Sequence, residues 1–342
     1  MEAKVLSSLA FTIDPLAGGS HDVSAEEALS LLAAGAFVLD IRPPRAFAED
    51  GHLPGAQLLP REALATAPAV LPEDGRPVLV VCEQGLRSRS AAAFLAEAGV
   101  GNVHVLSGGM ARWRGPREKG PGVPLGPSEW LVSNALLAPR GARTLDVACG
   151  RGRHALLLAA AGSLVRAVDQ DRARVDALDA LARRLRLPIE ARQADLQQPG
   201  SSLGQGQWEL IMVFNFLHRP LFPALVAALA PGGVLLYETF TREHGQRHGR
   251  PSRSEHLLEP GELPRLVAPL EVVRRREGEF GGRYLASVAA RKPTRALRTV
   301  PSSPAAATAR VAPAPKTQSH PARRRTSGAN GSGSRTPGAR KR

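Results

Sequence analysis

The sequence predicts an α/β protein built as two successive parallel-sheet units followed by a disordered tail. Three observations lead there. Short apolar runs alternate with helical spacings twice along the chain, a stretch crowded with Gly and Pro divides the two series, and large apolar residues almost vanish near the end. A chain of 342 residues is long enough for two domains that each bury their own core.

In the first series, Ser24-Ala25-Glu26-Glu27 reads as a capping box, with Ser24 as N-cap and Glu27 at N3. It opens a helix expected to bury Leu29 and Leu32. The runs 37–41, 78–81 and 103–106 read as buried strands, and 88–98 as a helix that stops at Gly99. Strands alternating with helices indicate a parallel sheet. Residues 115–127 hold Gly115-Pro116, Gly120-Pro121-Gly122, Pro124 and Gly126-Pro127. Proline lacks a ladder donor and glycine is entropically costly to order, so this segment reads as a linker.

The second series offers strands at 145–147, 164–169, 189–193, 210–213 and 234–238. Its clearer helices are 173–185 and 221–230, the latter stopped by Pro231-Gly232-Gly233. From Lys292 onward Pro, Ala, Ser, Gly and Arg dominate, and such a segment cannot bury enough surface to offset its ordering entropy. The expected organisation is therefore a first domain over 1–114, a linker over 115–127, a second domain over 128–291 and a disordered basic tail over 292–342.

The formal charge of +14 is unevenly placed. Residues 291–342 carry 13 Lys or Arg and no Asp or Glu, which leaves 32 basic against 31 acidic residues elsewhere. The folded part is nearly neutral, so the charge is no evidence for a nucleic-acid-binding fold. Weak contact with nucleic acid or another acidic surface is left to the tail. Two cysteines, Cys82 and Cys149, make no disulfide framework and fit a reducing cytosol. No apolar stretch reaches the roughly 18 to 20 residues of a membrane span, and Met1 to Leu9 lacks the features of a signal peptide. A cytoplasmic protein without membrane contact is expected, and no metal site.

Two loops carry the chemistry. Cys82-Glu83-Gln84-Gly85-Leu86-Arg87-Ser88 leaves the strand 78–81 and enters a helix. If it curls around the sulfur, backbone N–H groups and the positive helix end face Sγ and can hold a thiolate or an oxyanion. Gly85 permits the curl and Arg87 adds a fixed charge. Cysteine phosphatases close a longer loop, with five residues between Cys and Arg, whereas four separate Cys82 from Arg87. The loop resembles the Cys-x-x-Gly-x-Arg-Ser element of rhodanese sulfurtransferases through Cys82, Gly85, Arg87 and Ser88. Asp40-Ile41-Arg42, the turn Gly51-His52-Leu53-Pro54-Gly55-Ala56 and Gly108-Gly109-Met110-Ala111-Arg112-Trp113 extend the resemblance over most of residues 20 to 114. It implies a rhodanese-like fold, with Cys82 as persulfide carrier, Arg87 as a loop and donor-binding residue, and Asp40 and Arg42 as structural residues. His52 is expected to order its turn. Family members that use thiosulfate often have a basic residue after the cysteine; Glu83 there should repel a dianion.

The second loop is Asp146-Val147-Ala148-Cys149-Gly150-Arg151-Gly152, entered from Thr144-Leu145. Asp169 ends the next strand, where a carboxylate can take both ribose hydroxyls, and Asp195 ends the third, where it can accept from an adenine amino group or cap a helix. Ala155 occupies a third glycine position that a dinucleotide fingerprint tolerates, so spacing alone leaves NAD open. The acidic residue four before the first glycine resembles motif I of class I S-adenosylmethionine methyltransferases, over roughly residues 128 to 290. That resemblance implies a Rossmann-like fold that binds S-adenosyl-L-methionine through Asp146, Gly150, Gly152, Asp169, Asp195 and Asn215. Val234 to Phe240 with Thr241-Arg242-Glu243 resemble the tellurite-resistance-type branch. Cys149 reads as a small packed side chain.

Ligands of an open parallel sheet sit at the strands' carboxyl ends. Asn215, His218, Arg219, Tyr237, Glu238 and Arg242 are therefore expected to ring the methyl-acceptor mouth, unless Arg219 and Glu238 merely pair with each other. A mouth rich in arginine favours a small anionic or soft nucleophile. The reading is a fusion of sulfurtransferase and methyltransferase, with a sulfane-sulfur donor, a thiol acceptor and a small-molecule methyl acceptor as partners. Two alternatives stand beside it: a non-catalytic rhodanese docking or sensing module on an active methyltransferase, and an RNA methyltransferase that uses the basic tail.

Overall fold

The computed structural model describes residues 21–198 and 202–294. The expectations for the first nine residues and for the tail past 294 lie outside the described residues. The first part is a five-stranded parallel sheet of β1 (His21–Val23), β2 (Phe37–Asp40), β3 (Gln57–Leu58), β4 (Val78–Val81) and β5 (Val103–Leu106), in the order β1-β5-β4-β2-β3. Central β4 is buried at all four residues, which explains its unbroken apolar run. The helix Ala25–Ala33 opens on the expected capping box: Ser24 Oγ accepts from the Glu27 N–H at 3.2 Å, and the Glu27 carboxylate accepts from the Ser24 N–H at 2.7 Å. Its buried stripe, however, runs through Ala28, Leu31 and Leu32, and Leu29 is exposed. Residues three and four apart share a face, and Leu29 is one position off it.

The Gly/Pro segment has no helix, as its composition predicts, yet it is fastened to the first unit. His52 and Glu118 exchange backbone hydrogen bonds of 2.9 Å each, and the Leu125 N–H donates to Leu58 O at 2.8 Å. Arg117 donates to the carbonyls of Asp50, Met110 and Trp113 at 2.9, 2.7 and 3.1 Å. Gly122 allows the close approach, since a Cβ there would lie 2.8 Å from the Phe47 ring.

The second part is a seven-stranded sheet: β6 (Arg143–Val147), β7 (Leu164–Asp169), β8 (Ile189–Gln193), β9 (Trp208–Phe214), β10 (Leu229–Phe240), β11 (Glu271–Phe280) and β12 (Arg283–Arg291). Their order is β11-β12-β10-β9-β6-β7-β8. From β8 to β10 all pairs are parallel, and the order reverses between β6 and β9, the switch point of a doubly wound sheet. β12 runs antiparallel to both β10 and β11. Pro231-Gly232-Gly233 does not end a helix; it forms a register shift inside β10, and the preceding helix Phe222–Ala228 stops earlier than its spacing predicts. The two cores meet: Ala69 of the first unit packs with Cys149, Ala155 and Trp130 of the second, and Leu185 leans on the cluster around Leu95 and Val105. Among the described residues no helix is long and apolar enough to cross a membrane.

Candidate active sites

Cys82 directly follows β4 and is 3% exposed. The N–H groups of Gly85 and Ser88 donate to its Sγ at 3.2 and 3.3 Å, and the Ser88 hydroxyl lies 3.2 Å from the sulfur while donating to Gly85 O at 3.0 Å. Gly85, at φ 81°, turns the chain straight into the helix Leu86–Glu97, which starts two residues earlier than expected. Arg87 is exposed on the first turn. The loop is also held from behind. Met110 and Ala111 donate to the carbonyls of Cys82 and Glu83, both at 2.9 Å. Gly109 makes this contact possible, because a Cβ there would lie 2.3 Å from Cys82 O. The Gly108-Gly109 pair thus shapes the loop, a role that sequence reasoning missed.

Buried Arg42 binds Asp40 at 2.7 Å and donates to Gly51 O at 2.8 Å, and its other arm lies 3.5 Å from the Glu83 carboxylate. The charge beside the sulfur is therefore shared with a guanidinium. His52 stacks on Phe47 at 3.7 Å and its Nδ1 lies 3.0 Å from Phe47 O, as a residue that orders the turn does.

At the switch point, the chain passes from β6 through Ala148 (φ 55°), Gly150 (φ 57°) and Gly152 (φ 81°) into the helix Arg153–Ala160. A Cβ on Gly152 would lie 2.5 Å from Leu178. A cavity of about 440 Å³ opens along this loop, a usual size for a small-molecule site. Gly150, Asp169, Asp195 and Asn215 all line it. Asp169 accepts from the Gly150 N–H at 2.7 Å and from the Asp171 N–H at 3.0 Å, one on each oxygen. Asp195 accepts from the Gln197 N–H and the Gln198 amide, both at 2.9 Å, so it closes a turn at the cavity edge. Asn215 sits at φ 56° with its N–H on Glu238 O at 2.9 Å.

Asp146 lies behind the loop and outside the cavity wall. Burial pushes its carboxyl up to about 7, even with the Ala155 N–H on it. Its Oδ2 is buried without a hydrogen-bond partner. Burial also pushes the Cys149 thiol up, which suits an inert packed side chain.

Of the residues expected to ring the mouth, Asn215 lines the cavity and the others do not. Arg219 grips Glu262 at 2.6 Å and the carbonyls of Glu255 and Leu257 at 2.7 and 3.0 Å. Glu238 is 2% exposed and takes Ser128 Oγ at 2.6 Å, Ser287 Oγ at 2.7 Å and Arg276 at 3.1 Å. Arg242 pairs with Glu259 at 2.6 Å, and the buried Tyr237 donates to Phe216 O at 2.8 Å. None of these lines the cavity, nor does His218, and Arg219 and Glu238 do not pair. Successive strand residues face opposite sides, so neighbours in sequence at a strand end do not share one mouth. Three cations line the wall, Arg151, Arg153 and Arg174; Arg151 pairs with Glu73 and Arg174 with Asp171, whereas Arg153, lowered by burial and by the charge of nearby Arg283, has no salt bridge among the described residues. Its place just after the second glycine was the available signal. His154, held well below its usual range by burial, stays neutral, and its Nε2 accepts from the Ser128 N–H at 3.1 Å.

Comparison with known proteins fits the two loops. Residues 24–115 match the rhodanese-like domain family and residues 144–233 match a methyltransferase domain. The thiosulfate sulfurtransferase GlpE of Pseudomonas entomophila (strain L48) is 45% identical over 92 residues, covering 27% of this chain and 83% of that protein. Among solved structures, TehB from Haemophilus influenzae is 20% identical with a TM-score of 0.41, covering 48% of this chain and 61% of that one. An S-adenosylmethionine dependent methyltransferase from Mesorhizobium loti is 15% identical with a TM-score of 0.40, covering 47% and 96%. The chain belongs to the rhodanese-like family in its first part and carries a methyltransferase domain after it.

Proposed function

We propose that the chain joins a sulfurtransferase centred on Cys82 to an S-adenosyl-L-methionine-dependent methyltransferase that uses the cavity beside Gly150. The sulfur half rests on one observation: two N–H groups and a hydroxyl converge on Cys82 Sγ. The thiolate attacks the sulfane sulfur of a donor. A new S–S bond forms on Sγ as the donor's own bond to that sulfur breaks and the leaving group keeps the electron pair. An acceptor thiolate then attacks the outer sulfur and Cys82 departs as thiolate. The Gly85 and Ser88 N–H groups stabilise Sγ as it attacks and as it departs as thiolate, and Arg87 at the rim draws an anionic donor. The relative's name brings thiosulfate as a donor; Glu83, only partly offset by Arg42, weakens the pull on that dianion. Incubation with a sulfane donor is expected to add one sulfur, roughly 32 Da, to the wild type and nothing to Cys82→Ala. Glu83→Arg is expected to speed turnover with thiosulfate specifically. An absence of the mass gain in the wild type would favour a docking or sensing module instead.

The methyl half rests on the cavity at the switch point, where Gly150, Asp169, Asp195 and Asn215 line one wall at the strands' carboxyl ends. The Asp169 carboxylate, with one backbone N–H on each oxygen, keeps lone pairs for a ligand with donor groups. The bound cofactor supplies an electrophilic methyl group on a sulfonium. Gly150 allows close approach, Gly152 lets the loop pack on Leu178, Asp169 keeps lone pairs for the ribose hydroxyls, Asp195 faces the adenine, Asp146 supports the loop on the methionine side from behind, and Asn215 faces the acceptor. Arg153 holds a small anionic nucleophile in line, a step that depends on positioning. Each lost hydroxyl bond to a carboxylate costs at most about 1.5 to 3 kcal/mol, so Asp169→Ala is expected to weaken cofactor binding tenfold or more by calorimetry. Arg153→Ala is expected to raise the KM for small thiols or chalcogen oxyanions. Robust methylation of bulk RNA, undiminished in that variant, would overturn the acceptor class, and tight NAD binding would overturn the cofactor.

A further inference from the structure

We infer that the rhodanese-like unit forms one wall of the methyltransferase cavity, with Arg151 as the positioning residue that ties the glycine loop to it. This rests on the reading of the cavity as the cofactor site. Arg151 is the residue between the two glycines. Its Nη1 donates to Leu71 O at 2.9 Å and its Nη2 to Pro68 O at 3.0 Å, and Glu73 pairs with it at 2.8 Å. All three partners belong to the first unit. The two carbonyls lie at the short helix Ala67–Val70, whose last carbonyls have no intrahelical donor. A planar guanidinium that spans two acceptors fixes orientation as well as distance.

Ala69, from the same short helix, completes the wall: it lines the cavity and is buried with Cys149 and Ala155. The loop needs such a brace. Ala148 holds a left-handed conformation that L side chains adopt only at a cost, and two more left-handed residues follow within four positions. A loop fixed from the neighbouring unit binds its ligand without first ordering itself, so cofactor affinity depends on the sulfurtransferase half. Coupling of this kind is reciprocal. The cofactor in turn steadies the segment around Ala67 and Leu71, which shares a core cluster with Cys82.

Calorimetric titration of the full chain with S-adenosyl-L-methionine tests this. Arg151→Ala is expected to weaken binding by about tenfold, within the usual range of coupling between sites. Arg151→Lys, which keeps the charge but not the fork, is expected to fall between. Ala69→Leu, a change in the first unit alone, is expected to weaken binding by filling the cavity. Hydrogen exchange over 67–71 is expected to slow when the cofactor is added to the wild type and to stay unchanged in Arg151→Ala. Equal affinities in the wild type, Arg151→Ala and Ala69→Leu would overturn the inference and leave the cofactor reading standing. A wild type that binds no cofactor would overturn both.

Discussion

Gly109 illustrates how much a single residue carries in this protein. Its lack of a side chain lets two N–H groups reach the carbonyls of Cys82 and Glu83 and so set the curl of the reactive loop. Gly109→Ala is expected to destabilise the protein by about 1 to 3 kcal/mol, through a left-handed backbone and a clash with main-chain oxygen, and to slow sulfur uptake at Cys82. Denaturant midpoints and the rate of mass gain check this; a variant with unchanged loading would separate the Gly-Gly turn from the chemistry. Asp146 sets a different balance. Burial raises its carboxyl from an ordinary 3.8 to about 7, so the native state holds the proton more tightly than the unfolded chain. Its contribution is fully present below about pH 4 and is lost as the pH rises through about 7. Asp146→Asn is therefore expected to gain stability relative to the wild type as the pH goes from about 4 to about 8. A constant difference in midpoint across that range would show that the carboxyl is not buried uncharged.

At the scale of elements, the helix Glu129–Asn134 is joined to the sheet through its cap. Ser128 Oγ accepts from the Trp130 N–H at 3.0 Å and donates to Glu238 at 2.6 Å, while Arg276 crosses the Trp130 ring 5.1 Å from its centroid. Ser128→Ala removes both the cap and one donor of a buried carboxylate, and is expected to cost about 2 kcal/mol or more in unfolding free energy. Glu238 thus works as an anchor, and a loss of stability in Glu238→Ala is expected in place of a specific loss of turnover. The last strand extends past its own end. Lys292 Nζ donates to the carbonyls of Val226, Ala227 and Leu229 at 2.9, 3.2 and 2.7 Å, at the C-terminal end of the helix Phe222–Ala228. A cation there satisfies orphan carbonyls and the negative helix end. A chain cut after Arg291 is expected to melt at a lower temperature than one cut after Thr294, and equal melting would show the lysine contacts to be idle.

For the molecule as a whole, the two reactive loops were legible in the sequence because each packs its chemistry into seven consecutive residues at a strand end. The parallel strands were legible for a related reason: strands buried on both faces read as continuous apolar runs, as in Val78 to Val81. The β11–β12 hairpin was not, because β11 is mostly charged and exposed and β12 spends four of its nine residues on alanine and serine. Long-range partners were equally hidden. Nothing near Arg151 in sequence marks two carbonyls eighty residues upstream as its partners, and nothing near Glu238 marks Ser128. The fastened connector has a consequence for digestion. A protease needs a segment it can draw out of the fold, and cleavage of native chains follows the population that opens. Arg117 is a basic cleavage point in a stretch whose composition invites nicking, yet its guanidinium is held by three carbonyls and the next residue is paired with His52. Trypsin under native conditions is therefore expected to spare the junction, and early release of a fragment ending at Arg117 would show that it opens. The halves are thus poor subjects for study as separate fragments: a cut at the junction would leave the cavity beside Gly150 without the wall that Ala69 provides.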